Sequence, residues 1–312
     1  MRALAAVLAT ALLGACATVP PAPPPYTDLS QAFVEFYDRT EGLDDTARLA
    51  AFNAQVAPLY PGFYSPRFGR TPEQQDRMTL NAIRRFPEIR DKYVGAQRAF
   101  PAAYAGAIAH FRKYFPDSTA ALPIYLLHSL GEMDGGTREI DGRTVMVFGA
   151  DGIAQYHRPE TIGPFFDHEL FHIEHGAYFP ECEPVWCALW TEGLATAAAE
   201  VMNPGIDQEG LMLTTPRPIK PEIDADWATA LCTARARLDS TSTEDYRLMF
   251  MGGNQTEGHP PRWGYYLGYR LAQRLLQDRP LTELAHLRPA EAEPLVKAEL
   301  TAMIAEGPPC PS

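Results

Sequence analysis

Apolar residues recur three and four positions apart over the first third of the chain, at Phe33, Val34, Phe36 and Tyr37, then at Leu49, Phe52 and Val56. That spacing puts them on one face of a helix. Thr71-Pro72-Glu73 is a helix start, a capping side chain followed by proline at the first helical position. Ile83, Phe86 and Ile89, then Phe100, Tyr104 and Phe111, continue the same spacing. Residues 28–116 are therefore expected to form a helical region. The pattern changes at Leu122–Leu127 (LPIYLL) and again at Thr144–Phe148, with a polar, turn-rich stretch from Gly131 to Gly142 between them. These runs predict a small sheet of about two or three strands. Helical spacing resumes near Pro159. It is broken by a proline-rich loop at Asn203–Glu222 and a glycine-rich loop at Met251–Arg262. Helices, a small sheet, then helices again define an α+β fold that is mostly helical.

The 312 residues are 46% hydrophobic, enough for a sizeable core. A formal net charge of −12, with no clustered basic stripe, argues against nucleic acid as a partner. At the N-terminus, Met1-Arg2 precedes the apolar run Ala3–Leu13, too short to span a bilayer but suited to a signal-peptide core. The run ends in Leu13-Gly14-Ala15-Cys16, which resembles the lipobox of bacterial lipoproteins. The resemblance implies that residues 1–15 are removed, that Cys16 carries the lipid, and that the protein is anchored in the bacterial cell envelope. Ala17 stands where an aspartate is associated with inner-membrane retention, so the outer membrane, facing the periplasm, is the expected location. Val19–Pro25 (VPPAPPP) favours polyproline II, and residues 16–27 are expected to be a semi-rigid tether.

Beyond Cys16 the chain has Cys182, Cys187, Cys232 and Cys310. An even number in an exported protein predicts disulfides. Cys182 and Cys187 are close enough for a local loop, which leaves Cys232 with Cys310. All three pairings stay open on sequence alone, as do free buried thiols.

The candidate chemistry is in Asp167-His168-Glu169-Leu170-Phe171-His172, an HExxH pattern. Four positions apart on a helix is one turn on one face, so His168 and His172 can offer imidazole nitrogens to one cation. Glu169 lies beside them and can act as general base towards a water activated by zinc. A catalytic site needs a third protein ligand. His175 is about 10 Å along the helix from His168, too far to share a small coordination sphere. Glu192, twenty positions after His172, opens the segment Glu192-Gly193-Leu194-Ala195 on a second helix rich in small residues, and is the better candidate.

HELFH followed by EGLA resembles the gluzincins, zinc peptidases with HExxH and a downstream glutamate. A third stretch, Gly264-Tyr265-Tyr266-Leu267-Gly268-Tyr269, resembles the gluzincin helix whose tyrosine supports the transition state, and maps that role onto Tyr265, with Tyr266 and Tyr269 as rivals. The order of the three segments most resembles a family of predicted zinc-dependent proteases within that clan, over roughly Thr144 to Leu276. The resemblance implies a metallopeptidase domain over residues 117–312, one Zn²⁺ on His168, His172 and Glu192, and a peptide or protein substrate. Thr196 stands where many gluzincins carry an aspartate that orients a histidine, leaving Glu200 or Asp167 for that task. Val145–Phe148 has two open readings, a sheet edge that pairs with an extended peptide or an ordinary core strand. His259 is a further loop candidate. Two other functions fit the same residues: a non-catalytic zinc-binding envelope lipoprotein, or a zinc hydrolase of non-protein amides or esters.

Overall fold

The computed structural model describes residues 23–180, 182–252 and 258–310. The leader, Cys16 and most of the tether lie outside the described residues. The chain enters through a two-residue strand, β1 (Thr27–Asp28), followed by α1 (Ser30–Arg39), α2 (Asp45–Gln55), the short α3 (Pro61–Tyr64) and α4 (Pro72–Phe111). The predicted start at Thr71 is a full capping box. Its hydroxyl accepts from the Gln74 amide, and the Gln74 side chain accepts from the Thr71 amide at 2.7 Å. Such a cap contributes about 1 kcal/mol. The apolar runs before and after Pro87 and Pro101 belong to one helix, which continues through both prolines for 40 residues.

Strands β2 (Ile124–Leu127), β3 (Gly135–Ile140) and β4 (Arg143–Gly149) complete a mixed sheet of order β1-β2-β4-β3, with β1, β2 and β4 parallel and β3 antiparallel to β4. Asp141 and Gly142 join β3 to β4 with φ of 53° and 70°. Two positive angles make the tight turn that matches strand twist. The sheet-edge reading of Val145–Phe148 does not hold. These residues are buried in β4, between β2 and β3. The edges are β1 and β3, and β3 falls in the stretch whose composition predicts a polar connection. Gly135-Gly136-Thr137-Arg138-Glu139 has no apolar alternation, and only Ile140 is buried.

The rest is helical: α5 (Ala150–Tyr156), α6 (Ile162–Gly176), α7 (Val185–Met202), α8 (Lys220–Ala225), α9 (Trp227–Arg237), α10 (Thr243–Phe250), α11 (Trp263–Leu275), α12 (Leu281–Ala285) and α13 (Pro289–Ala305). The fold is thus α+β and mostly helical, as the periodicity predicts. One aromatic cluster ties the N-terminal helices to the sheet and α6. Phe100 of α4 packs at 5.4 Å from Phe148 of β4 and 5.5 Å from Phe166 of α6. Phe33 of α1 stacks on the buried His128 at 3.7 Å.

Both disulfides form, Cys182–Cys187 and Cys232–Cys310. The first braces the turn between α6 and α7. The second closes a separation of 78 residues and fixes the chain's end to α9. Loop-closure entropy gives it about 4 kcal/mol, against about 2 kcal/mol for the short loop. Among the described residues no helix is long and apolar enough to cross a membrane.

Candidate metal centre

Helix α6 is apolar nearly all round because it runs through the core, against α4, α7 and β3. This setting takes His168 and Glu169 out of water. One turn apart, the His168 and His172 rings bring their Nε2 atoms to 3.1 Å. Helix α7 crosses α6 and delivers Glu192, whose Oε2 lies 3.6 Å from His168 Nε2 and 3.4 Å from His172 Nε2. The three residues offer one ligand atom each, all within 4.8 Å of one another, and together could hold one metal ion.

The close crossing is built from glycine. A Cβ on Gly193 would fall 2.2 Å from the carbonyl carbon of Gly268 in α11, and one on Gly268 would fall 2.2 Å from the Leu189 carbonyl oxygen. Only bare backbone lets α7 and α11 approach this far, and the residue before Gly193 is Glu192.

Charge at the site is strongly perturbed. Burial raises the pKa of Glu169 to about 8. His172 and Arg138 pull it down, while Asp134 and Glu192 push it further up. Its Oε2 is buried with no hydrogen-bond partner among the described residues. Burial alone would depress His172, but the charge and hydrogen bond of Glu192, helped by Glu169, outweigh it and raise the ring to about 9. Burial likewise opposes ionisation of Glu192, but His172 and the hydrogen bonds from both rings hold its carboxyl well below the usual range. Burial keeps His168 neutral, the form in which imidazole ligates.

It follows that a metal must displace a proton from His172. We expect affinity to climb with pH and flatten above about 9, with proton release near neutrality. Calorimetry in buffers of different ionisation enthalpy measures that release. A binding enthalpy independent of the buffer would contradict it.

The candidate tyrosines separate clearly. Tyr266 donates to Asp224 at 2.7 Å and accepts from Arg270. The Tyr269 hydroxyl accepts from Gln273 at 2.7 Å. The Tyr265 hydroxyl makes no hydrogen bond among the described residues; its ring lies under Arg262 at 4.3 Å. Its pKa is raised well above the ordinary value by burial, then by Glu192, so the hydroxyl keeps its proton. Of the three, Tyr265 is the one close enough to feel both Glu192 and Glu169.

The expected histidine-orienting carboxylates point elsewhere. Asp167 contacts His110 at 3.0 Å and Asn203 at 2.8 Å, Glu200 accepts from Gln273, and His168 Nδ1 has no partner among the described residues. Thr196 donates to the carbonyl of Glu192 itself. His175 is bonded to the Ala285 carbonyl at 2.7 Å and stacked on Phe179, so it is no ligand. His259 is buried against Trp263.

Two neighbours carried no sequence signal. Asp134, just before β3, pairs with His157 at 2.8 Å and bears on Glu169 electrostatically. Tyr246, from α10, is exposed in part; desolvation, then the charge of Glu192, raise its hydroxyl to about 12 against the pull of Arg138.

Fold and site thus define an α+β protein with a His-His-Glu group fit for one metal ion. Compared with protein-family models, with curated proteins and with solved structures, the chain matches none.

Proposed function

We propose that this protein is a zinc-dependent hydrolase of the gluzincin type, and that it cleaves peptide bonds. The observation that carries the reading is the donor geometry. Zinc bonds of about 2.0–2.1 Å at tetrahedral angles set ligand atoms roughly 3.3 Å apart. The three donor separations, 3.1, 3.4 and 3.6 Å, bracket that value. Two imidazoles and one carboxylate are also the donor set of a catalytic zinc site with an open fourth position. When bound, zinc would supply Lewis acidity, lowering the pKa of a water and polarising a carbonyl.

The chain's own residues supply the rest. Glu169, buried and unpartnered, takes the proton of the attacking water and returns it to the leaving amine. Tyr265, held protonated, donates a hydrogen bond to the oxyanion as it forms. The free edge of β3 begins at this point. Gly135 comes so close to Glu169 that a Cβ there would sit 3.0 Å from its Cγ. An extended peptide added to that edge would pass its backbone directly over Glu169. This favours a peptide over a small amide or ester.

The test joins metal analysis to turnover of an unbiased peptide library. Wild type should hold one zinc per chain and cleave the library. His168→Ala, His172→Ala and Glu192→Ala should each lose zinc and activity together. Zinc without cleavage of any peptide would favour the binding lipoprotein, and cleavage confined to non-peptide amides or esters the other hydrolase. Lipid at Cys16 belongs to the same reading. Cys16→Ser should move the protein out of the membrane fraction, and persistent lipid labelling would refute the lipobox assignment.

A further inference from the structure

Strand β3, which meets Glu169 at Gly135, also walls a cleft of about 1360 Å³ together with one face of α4 and α10. It is larger than the roughly 300–1,000 Å³ of small-molecule pockets. In a protein of net charge −12, its wall carries five arginines (Arg70, Arg77, Arg85, Arg138 and Arg247), no lysine, and three carboxylates. Two of the three carboxylates are already engaged. Asp151 accepts from the amides of Ser129 and Gly131 and from the Ser129 hydroxyl. Glu132 accepts from Arg67 and Arg70. Arg77, Arg85 and Arg247 form no ion pair among the described residues, and all three are exposed. Five arginines against three carboxylates leave the wall with an excess of positive charge, carried by the side chain whose fork matches carboxylates best; Glu139 is the one wall carboxylate without an ion pair among the described residues.

Its position relates it to the chemistry. Arg138 is three residues along β3 from Gly135, about 10 Å at strand rise. Arg138 is also close enough to lower the pKa of Glu169, and Tyr246, on the cleft wall, feels Glu192. A peptide paired with β3 and crossing Glu169 thus runs its neighbouring side chains past these arginines. We propose that the cleft is a specificity subsite for acidic peptides, gripping Asp or Glu side chains about two to four residues from the bond presented to Glu169. The assignment of a bond to be cut rests on the peptidase reading; the binding of acidic peptide does not.

The experiment measures binding apart from turnover. Fluorescence anisotropy follows a labelled glutamate-rich peptide and its glutamine counterpart on zinc-loaded Glu169→Gln protein. The glutamate peptide should bind at least about tenfold tighter, with the advantage shrinking as salt rises. In Glu169→Gln protein also carrying Arg77→Gln, Arg85→Gln and Arg247→Gln, the ratio of the two affinities should fall about tenfold. These are exposed side chains without ion pairs, and unchanged zinc content checks that the variant folds. Equal binding of the two peptides, or a preference that survives the triple change, would overturn the proposal. So would tighter binding of a uronic-acid polymer than of the peptide. If wild type cleaves the library with no acidic preference, the subsite falls while the peptidase stands. If nothing is cleaved yet the arginine-dependent preference holds, the subsite stands while the peptidase falls.

Discussion

On the proposed zinc-hydrolase reading, Glu169→Gln is expected to bind zinc as wild type does and to lose turnover by at least about a hundredfold, the usual cost of removing a general base. The two halves of that expectation have different causes. Retention follows from geometry, because the three donors are His168, His172 and Glu192, and Glu169 is not among them. The loss follows from chemistry, because an amide of the same shape cannot take a proton. Burial lifts the carboxyl to about 8. A cation at the neighbouring ligands adds positive charge and lowers it again. The acid limb of kcat/KM should therefore lie below about 8 in the loaded enzyme. Tyr265→Phe should also keep zinc, with a smaller loss through one missing donor. Zinc content by atomic spectroscopy and kcat from library-derived substrates decide the matter. Unchanged turnover in Glu169→Gln would overturn the general-base role of Glu169 and with it the proposed mechanism.

The parts of this site that were legible in the sequence are those fixed by local periodicity. One helical turn sets His168 against His172, and nothing distant can change that. Glu192 was within reach because α7 follows α6 after a short, disulfide-braced turn, so the two helices had to pack. Non-local partners were not legible. Glu200 and Asp167 had equal claims to orient a histidine until Gln273, His110 and Asn203 captured them from other helices. Strand β3 was invisible for a related reason. An edge strand facing a cleft needs no apolar alternation, and a Cβ on its first residue, Gly135, would collide with Phe165 and crowd Glu169. The arginine wall was hidden in the same way. Arg77 and Arg85 stand on α4, and only the fold brings them to one cleft with Arg138 and Arg247.

The largest loss of stability should come from glycine, at Gly193. Alanine there adds one methyl group, and on an open helix it would help. At Gly95, in α4, an added methyl would have nothing within 4 Å, so Gly95→Ala should gain about 0.5–1 kcal/mol. At Gly193 the same methyl meets Gly268 Cα and O at 2.5 Å and its carbonyl carbon at 2.2 Å. These are backbone atoms of a buried helix and cannot swing aside as a side chain would. Helices α7 and α11 must separate, opening a core that includes Leu189, Trp190 and Leu267. Overpacking of this kind costs about 1–3 kcal/mol and sometimes more. With no flexible neighbour to absorb it, the upper end, about 3 kcal/mol, is expected. Gly268→Ala should cost a similar amount, since its methyl meets the Leu189 oxygen. The shift also reaches the metal. Glu192 precedes Gly193 on α7, and its 3.4 and 3.6 Å approaches to the two histidines depend on where that helix lies. Gly193→Ala should therefore bind zinc about tenfold more weakly, which appears as a smaller gain in stability when zinc is added. Urea unfolding of both variants, with and without zinc, measures the two effects together. A Gly193→Ala protein that gained stability as Gly95→Ala does, and held zinc as wild type does, would show that the glycine crossing does not set the position of Glu192.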